Sequence, residues 1–118
     1  MKTKVVAAFI KKDNKFLIAK KKDKWEFPGG KVREGEKRED ALVRELKEEL
    51  NLKIKVNSFL FKYEKDNFIF YFYSVEIEEG DLILKEHKMV KWISFKDLKK
   101  FKFYEPDEKF LYSMASFK

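Results

Sequence analysis

The 118-residue sequence contains no cysteine, which excludes a disulfide framework and a thiolate zinc site. No apolar run approaches the roughly 20 residues that a membrane-spanning helix needs. The first residues, MKTK, lead directly into a strand pattern and carry no export signal. We therefore expect a cytoplasmic protein made of one domain, residues 1–118, because a chain of this length suits one hydrophobic core.

Glycine and arginine are scarce, and both concentrate in one stretch. Three of the four glycines and all three arginines lie between Gly29 and Leu52, although the chain has 28 basic residues. The remaining basic residues are lysines spread along the chain, which is typical of a solvated, lysine-rich surface. We therefore do not expect nucleic-acid binding from the net charge of +7, although a positive field would also speed the capture of an anionic nucleotide.

Apolar segments with strand composition alternate with polar turns along most of the chain. A first helix is predicted over Lys37–Leu50, where leucines recur every four residues. A short helical turn follows Ser94, and a last helix begins near Pro106. Strands before and after a central helix predict an α/β (α+β) sandwich with a mixed central sheet. The predicted strands cover residues 4–10, 16–20, 53–62, 68–75 and 89–95, with an acidic turn at 76–80.

The first helix carries three carboxylates, Glu45, Glu48 and Glu49, on one face. Like charges at these spacings repel by a few tenths of a kcal/mol per pair. The face is therefore either a solvated surface or a set of oxygen ligands for a hard cation such as Mg²⁺, with Mn²⁺ as a substitute. The preceding glycines, Gly29 and Gly30, let the backbone approach a ligand closely, which favours the metal site.

These residues match a known motif. The spacing from Gly30 through Glu36 to Arg44–Leu52 resembles the Nudix box of the Nudix hydrolases, G-x5-E-x7-R-E-U-x-E-E-x-G-U, in which U is aliphatic. Each fixed position matches except the last glycine, where this chain has Asn51. Asparagine is the usual alternative to glycine in the left-handed position at a helix C-terminus, so we expect the metal site to be retained.

The segments 25–30 and 104–108 extend the resemblance to the MutT-like branch of the family. The resemblance implies hydrolysis of a nucleoside triphosphate, such as an oxidised nucleotide like 8-oxo-dGTP or a CTP-like nucleotide, to a monophosphate and pyrophosphate. Such hydrolysis would give the protein a role in nucleotide-pool sanitation. It implies as metal ligands the Gly29 carbonyl, Glu45, Glu48, Glu49 and Glu86. The implied catalytic residues are Glu48, Glu49, Glu86 and Arg44, with Glu36 holding Arg44 or the loop.

Substrate contacts are expected elsewhere in the chain. Asp107 corresponds to a base-reading position, and an ionised aspartate only accepts hydrogen bonds; alternatively, it only stabilises the start of the last helix. Phe27 is a candidate for base stacking, and Lys21 and Lys31 are candidates for loop or phosphate contacts. The single histidine, His87, is expected to be exposed and not catalytic.

Two other functions remain open. Another Nudix substrate, ADP-ribose or a dinucleoside polyphosphate, is disfavoured by the short chain and by the lead-in at 25–30. A Nudix domain that binds nucleotide or RNA without hydrolysing it is disfavoured because all three helix glutamates are present. The sequence is compatible with a monomer or a dimer.

Overall fold

The computed structural model describes residues 2–85, 87 and 89–115. Within these residues, seven strands, two α-helices and one 3-10 helix follow one another. None of the helices in this part of the chain is long and apolar enough to cross a membrane. The strands are β1 Thr3–Lys12, β2 Lys15–Lys21, β3 Lys24–Glu26, β4 Gly29–Lys31, β5 Lys53–Lys65, β6 Phe68–Glu79 and β7 Met89–Ile93. The helices are α1 Arg38–Leu50, α2 Glu105–Ala115 and the 3-10 helix Phe95–Lys100.

The strands form one mixed sheet with β1 near its centre. The order is β3-β2-β1-β6-β5, with β4 paired to β1 and β7 paired to β2. β1 runs parallel to β6 and antiparallel to β2 and β4. The prediction of a mixed central sheet is confirmed.

Alternating side chains of β1 enter two separate cores. Val6, Ala8 and Ile10 pack against the leucine stripe of α1 on one face of the sheet. Ala7 and Phe9 belong to a second, largely aromatic core beneath α2. β6 divides its aromatic residues between the same two cores, which explains why its sequence is apolar at nearly every position.

Two local expectations differ from the structure. The acidic residues predicted as a turn at 76–80 instead continue β6 as far as Glu79. Glu76 and Glu79 lie opposite Lys55 and Lys53 of β5, and such opposite-charge cross-strand pairs stabilise a sheet. The short strands β3 and β4 were not predicted, because three residues are too few to show an alternating pattern and β4 also contains two adjacent glycines.

We expect Phe110→Ala to destabilise the fold by about 3–5 kcal/mol, the usual cost of truncating a buried phenylalanine. The Phe110 ring is fully buried and stacks on Phe72 with 4.5 Å between ring centroids. Tyr112→Ala, on the same helix at 63% exposure, is the matched control and should change stability by less than about 0.5 kcal/mol. Urea unfolding of both variants measures the difference, and equal midpoints would contradict the assignment of Phe110 to the core.

Candidate active site

Strand β4 brings two glycines against β1 and α1. A Cβ on Gly30 would lie 2.3 Å from the carboxyl carbon of Glu45, so this carboxyl group occupies the space that a side chain would need. A Cβ on Gly29 would lie 1.9 Å from the carbonyl oxygen of Val6 in β1. Gly29 therefore permits the close approach of the two strands, and Gly30 permits that of Glu45.

Arg44 holds this arrangement together through its guanidinium group. Its Nε and Nη2 donate to the two carboxylate oxygens of Glu36, at 2.9 and 3.0 Å. Nη1 donates to Glu45 Oε1 at 2.8 Å, and Nη2 also donates to the carbonyl oxygen of Lys31 at 3.1 Å. The fork of planar donors lets one arginine orient two carboxylates and β4 together, which the single ammonium of lysine could not do.

Glu36 is prepared for this contact by the loop before α1. It accepts the Arg33 N–H at 3.0 Å in addition to the two bonds from Arg44. The hydrogen bonds from Arg44, with that from the Arg33 amide, lower the pKa of Glu36 to about 2. Hydrogen bonding to Glu36 in turn raises the pKa of Arg44. The pair is therefore fully ionised at neutral pH, and a positive charge stands beside Glu45.

The three carboxylates on the face of α1 have different surroundings. The side chain of Glu48 is 53% exposed and lies 3.4 Å from Arg44 Nη1, whereas that of Glu45 is only 15% exposed. Glu49 is 6% exposed as a residue, which is unusual for a carboxylate. The helix therefore presents one open, one oriented and one buried carboxylate.

The site offers oxygen donors to a divalent cation but no closed set of ligands. Among the described residues, no three acidic or histidine side chains already converge to form a closed ion site. The carboxylate oxygens of α1 and the main-chain carbonyl of Gly29 are hard ligands of the kind that Mg²⁺ prefers. Mg²⁺ also usually keeps water molecules and substrate phosphates in its shell, so an open donor set suits it.

The chain after β6 is anchored to the C-terminal end of α1. Asn51 adopts the expected left-handed conformation with φ of 61°, and its Nδ2 donates to the carbonyl oxygen of Asp81 at 3.0 Å. The amides of Ile83 and Lys85 donate to the carbonyl oxygens of Leu50 and Glu49. These bonds tie residues 81–85 to the end of the acidic helix. Glu86, predicted as a ligand and catalytic residue, lies outside the described residues.

The expectation that His87 is exposed is wrong. Its side chain is only 2% exposed, and its Nε2 lies 2.8 Å from Glu26 Oε2. The carboxylate at the end of β3 gives the imidazole a charged partner, which offsets the cost of removing a polar ring from water. Glu26 lies within the lead-in segment 25–30, but its link to a residue 61 positions away was not predicted.

The side chain of Asp107 contacts the main chain of Phe27. Asp107 Oδ1 accepts the Phe27 N–H at 2.9 Å, and Asp107 is only 7% exposed. Burial raises the pKa of Asp107 well above its usual value, which favours the neutral acid over the ionised, accept-only aspartate that we expected.

The Phe27 ring is 3% exposed and packs among aromatic rings that include Phe103 and Phe110. The expectation that Phe27 is open for base stacking is therefore wrong, because its ring completes the core beneath α2.

The two lysines predicted to contact loop or phosphate are both exposed. Their main-chain carbonyls have structural roles. That of Lys21 accepts the Tyr104 hydroxyl at 2.7 Å, and that of Lys31 accepts Arg44 at 3.1 Å. The ammonium groups of Lys21 and Lys31 thus remain candidates for substrate contact.

Comparison with known proteins gives a consistent result. The NUDIX domain model matches residues 1–114. The chain is 38% identical over 120 residues to the 8-oxo-dGTP diphosphatase of Buchnera aphidicola subsp. Schizaphis graminum (strain Sg), covering 95% of this chain and 92% of the relative. It is 34% identical over 100 residues to the CTP pyrophosphohydrolase of Escherichia coli (strain K12), covering 76% and 74%. A solved MutT structure, from work on Aliivibrio salmonicida and Vibrio cholerae, superimposes with a TM-score of 0.86 at 28% identity over the full length of both chains.

We expect Gly30→Ala to weaken divalent-metal binding by at least about tenfold, the lower end of the usual effect of disturbing the groups around a metal. The added methyl group would displace the Glu45 carboxylate from its position beside Arg44, while the flexible side chain lets the fold accommodate the change. Calorimetric titration with Mn²⁺ measures the affinity, and thermal unfolding measures the stability.

Gly35→Ala is the matched control. A Cβ at Gly35 has open space, but its φ of 78° disfavours any side chain. This variant should lose about 1–2 kcal/mol of stability with unchanged metal affinity. Unchanged Mn²⁺ affinity in Gly30→Ala would contradict the role of Gly30 in positioning the Glu45 carboxylate.

Proposed function

The chain belongs to the Nudix hydrolase family, whose members act on phosphoric anhydride bonds and generally use divalent metal ions, and we propose that it is a Mg²⁺-dependent nucleoside triphosphate pyrophosphohydrolase. It would release a nucleoside monophosphate and pyrophosphate. The main support is the acidic face of α1, with Glu45 held between Gly30 and Arg44. The two relatives described above are named for 8-oxo-dGTP and CTP, and both of these substrates are nucleoside triphosphates.

In this proposal, the Gly29 carbonyl and the carboxylates of Glu45, Glu48 and Glu49 hold the cation. When bound, a divalent cation neutralises phosphate oxygens and lowers the pKa of water. Arg44 orients the Glu45 carboxylate towards Gly30, and Glu36 keeps the guanidinium in place. These residues would thereby fix the geometry of the phosphate chain before water attacks.

Glu48 is our candidate for the carboxylate that accepts the proton of the attacking water. It is the most exposed of the three on α1, so a water molecule can reach its Oε atoms without disturbing the core. Glu49 is surrounded by protein, which suits a ligand more than a group that exchanges protons with solvent. Glu86 is the second candidate for the base, on the segment that follows the anchored residues 81–85.

We propose that Asp107 reads the nucleobase as a neutral acid. One carboxyl oxygen accepts the Phe27 N–H, and the protonated carboxyl group can also donate through its O–H. A neutral aspartic acid thus offers a donor and an acceptor, as an amide side chain does. Guanine, 8-oxoguanine and cytosine each present donors and acceptors in their base edges, so Asp107 suits any of these three bases.

Pyrophosphate release in the presence of Mg²⁺ tests the proposed reaction. We expect the wild type to release pyrophosphate from a nucleoside triphosphate, and Glu48→Gln to lower kcat by about 100-fold or more, as loss of a general base does. EDTA should abolish turnover. Glu39→Gln removes an exposed carboxylate from the same helix and should retain activity.

A panel of ordinary and oxidised triphosphates, ADP-ribose and dinucleoside polyphosphates identifies the substrate. Preference for ADP-ribose would overturn the substrate assignment but leave the metal site standing. Tight nucleotide binding without turnover of any compound would instead favour a domain that only binds.

The neutral form of Asp107 has a separate consequence. We expect Asp107→Asn to keep kcat/KM within about threefold of wild type at neutral pH, because asparagine preserves both the acceptor for Phe27 and a donor. The KM of the wild type should rise as pH increases through the raised pKa of Asp107, since the O–H donor is then lost. The asparagine variant should show no such rise. A shared pH profile, or a changed base preference in the asparagine variant, would contradict this role.

A further inference from the structure

Two lysine-rich segments that are distant in sequence lie side by side in the fold. Residues 20–24, KKKDK, and residues 96–102, KDLKKFK, contain four lysines each. Trp25 pairs with Phe103 in a parallel bridge, and the Trp25 N–H donates to the carbonyl oxygen of Lys102 at 2.8 Å. The Tyr104 hydroxyl donates to the carbonyl oxygen of Lys21 at 2.7 Å. Lysines that are dispersed in the sequence are therefore gathered on one surface.

Aromatic rings lie among these lysines. The rings of Trp25 and Phe101 meet edge to face with 5.3 Å between centroids. Three ammonium groups are positioned over rings, which is a favourable cation–π arrangement. The pairs are Lys20 with Trp25 at 5.9 Å, Lys24 with Tyr104 at 5.6 Å and Lys91 with Phe101 at 5.7 Å.

A groove of about 930 Å³ opens beside this surface, between the 3-10 helix and α2. Phe101 and Tyr112 contribute aromatic rings to its lining, and Tyr112 is 63% exposed. Glu108 contributes a carboxylate, and nearby Asp97 is bonded to Lys100 at 3.1 Å. The lysines that line the groove are Lys96, Lys99, Lys100 and Lys102. The groove therefore has a strong excess of positive charge.

We propose that this basic face, formed by residues 20–25, Lys91 and the groove of residues 95–112, binds single-stranded nucleic acid. Lysines attract a phosphate backbone and release its counterions, and the exposed ring of Tyr112 can stack on an unpaired base. The Trp25 ring is buried at 7% exposure and instead supports the ammonium group of Lys20 over it. An acidic peptide would match the charges but would leave the exposed Tyr112 ring without a base to stack on. A duplex would match the charges, but its bases are already stacked on one another. The expectation of no nucleic-acid binding rested on the spacing of lysines in the sequence, and the fold removes that reason.

The proposal goes beyond nucleotide hydrolysis and can be tested separately from it. The tested groove residues are distinct from the metal-site residues on α1 and from the proposed base-reading Asp107. Their substitution should leave triphosphate turnover unchanged. Loss of nucleic-acid binding with intact turnover would support the basic face, whereas absent turnover in every variant would count only against the proposed hydrolysis.

The test compares two triple variants of equal charge. The groove variant carries Lys96→Gln, Lys99→Gln and Lys102→Gln, and leaves Lys100 because it is bonded to Asp97. The control carries Lys4→Gln, Lys12→Gln and Lys37→Gln, three exposed lysines outside the basic face. Fluorescence anisotropy with a labelled oligouridylate of about 16 nucleotides, the upper end of the usual site size for one single-strand-binding domain, measures binding. The titrations run from about 50 to about 200 mM salt, the range over which phosphate contacts change affinity most visibly.

We expect the groove variant to bind at least about tenfold more weakly than wild type, because three lysines no longer neutralise phosphates. The plot of log affinity against log salt concentration should become less steep, with its slope reduced by about 0.7 for each lost phosphate contact. The control variant should differ from wild type by less than about twofold. Tyr112→Ala should weaken binding about tenfold, within the range found for removal of one base-stacking ring, while leaving the salt slope unchanged.

Three results would overturn the proposal. One is equal weakening in the groove and control variants, which would show that only net charge matters. The second is competition by a polyglutamate or a duplex of matched length as effective as that by unlabelled oligouridylate. The third is absence of wild-type binding at the lowest salt concentration.

Discussion

The candidate active site depends on the contact between the Arg44 guanidinium and two carboxylates. Arg44 bonds to both oxygens of Glu36 and to Glu45, and it also holds the carbonyl of Lys31 at the end of β4. One side chain therefore joins the loop, the glycine strand and the acidic helix. It also places a positive charge beside carboxylates that would otherwise only repel one another. This charge offsets part of the repulsion among the carboxylates of α1, and the Glu48 side chain remains 53% exposed.

The two parts of the proposed site lie on opposite faces of the sheet. Its α1 face carries the acidic helix and its aliphatic core, while its α2 face carries an aromatic core and Asp107. β3 and β4 lie on either side of Phe27 and Pro28, so a short stretch of chain connects both faces. This layout agrees with a division in which α1 provides the proposed phosphate chemistry and the start of α2 provides the proposed base recognition. A change in base preference would then need no change in α1.

Much of the fold was predictable, because its signals are local. The leucine stripe predicted α1 to within one residue at its start, and the apolar runs located strands β1, β2, β5, β6 and β7. Asn51 was expected to be left-handed, as it is. β3 and β4 were missed because three-residue strands carry no pattern. The predicted turn at 76–80 was wrong because these residues continue β6, opposite lysines of β5. His87 was expected to be exposed, whereas a partner 61 residues away in the sequence allows its burial.

The sequence by itself determined the family, the position of the acidic helix and the concentration of arginine in and just before that helix. Each of these depends on side-chain identity at fixed spacing, which is a property of one short stretch. The tertiary structure alone decided the environments of individual groups. It buried Asp107 and thereby favoured its neutral form, placed the Phe27 ring in the core, and brought the lysines of 20–24 beside those of 96–102. The physical reason is that burial and electrostatic surroundings depend on contacts between distant segments, which no local pattern records.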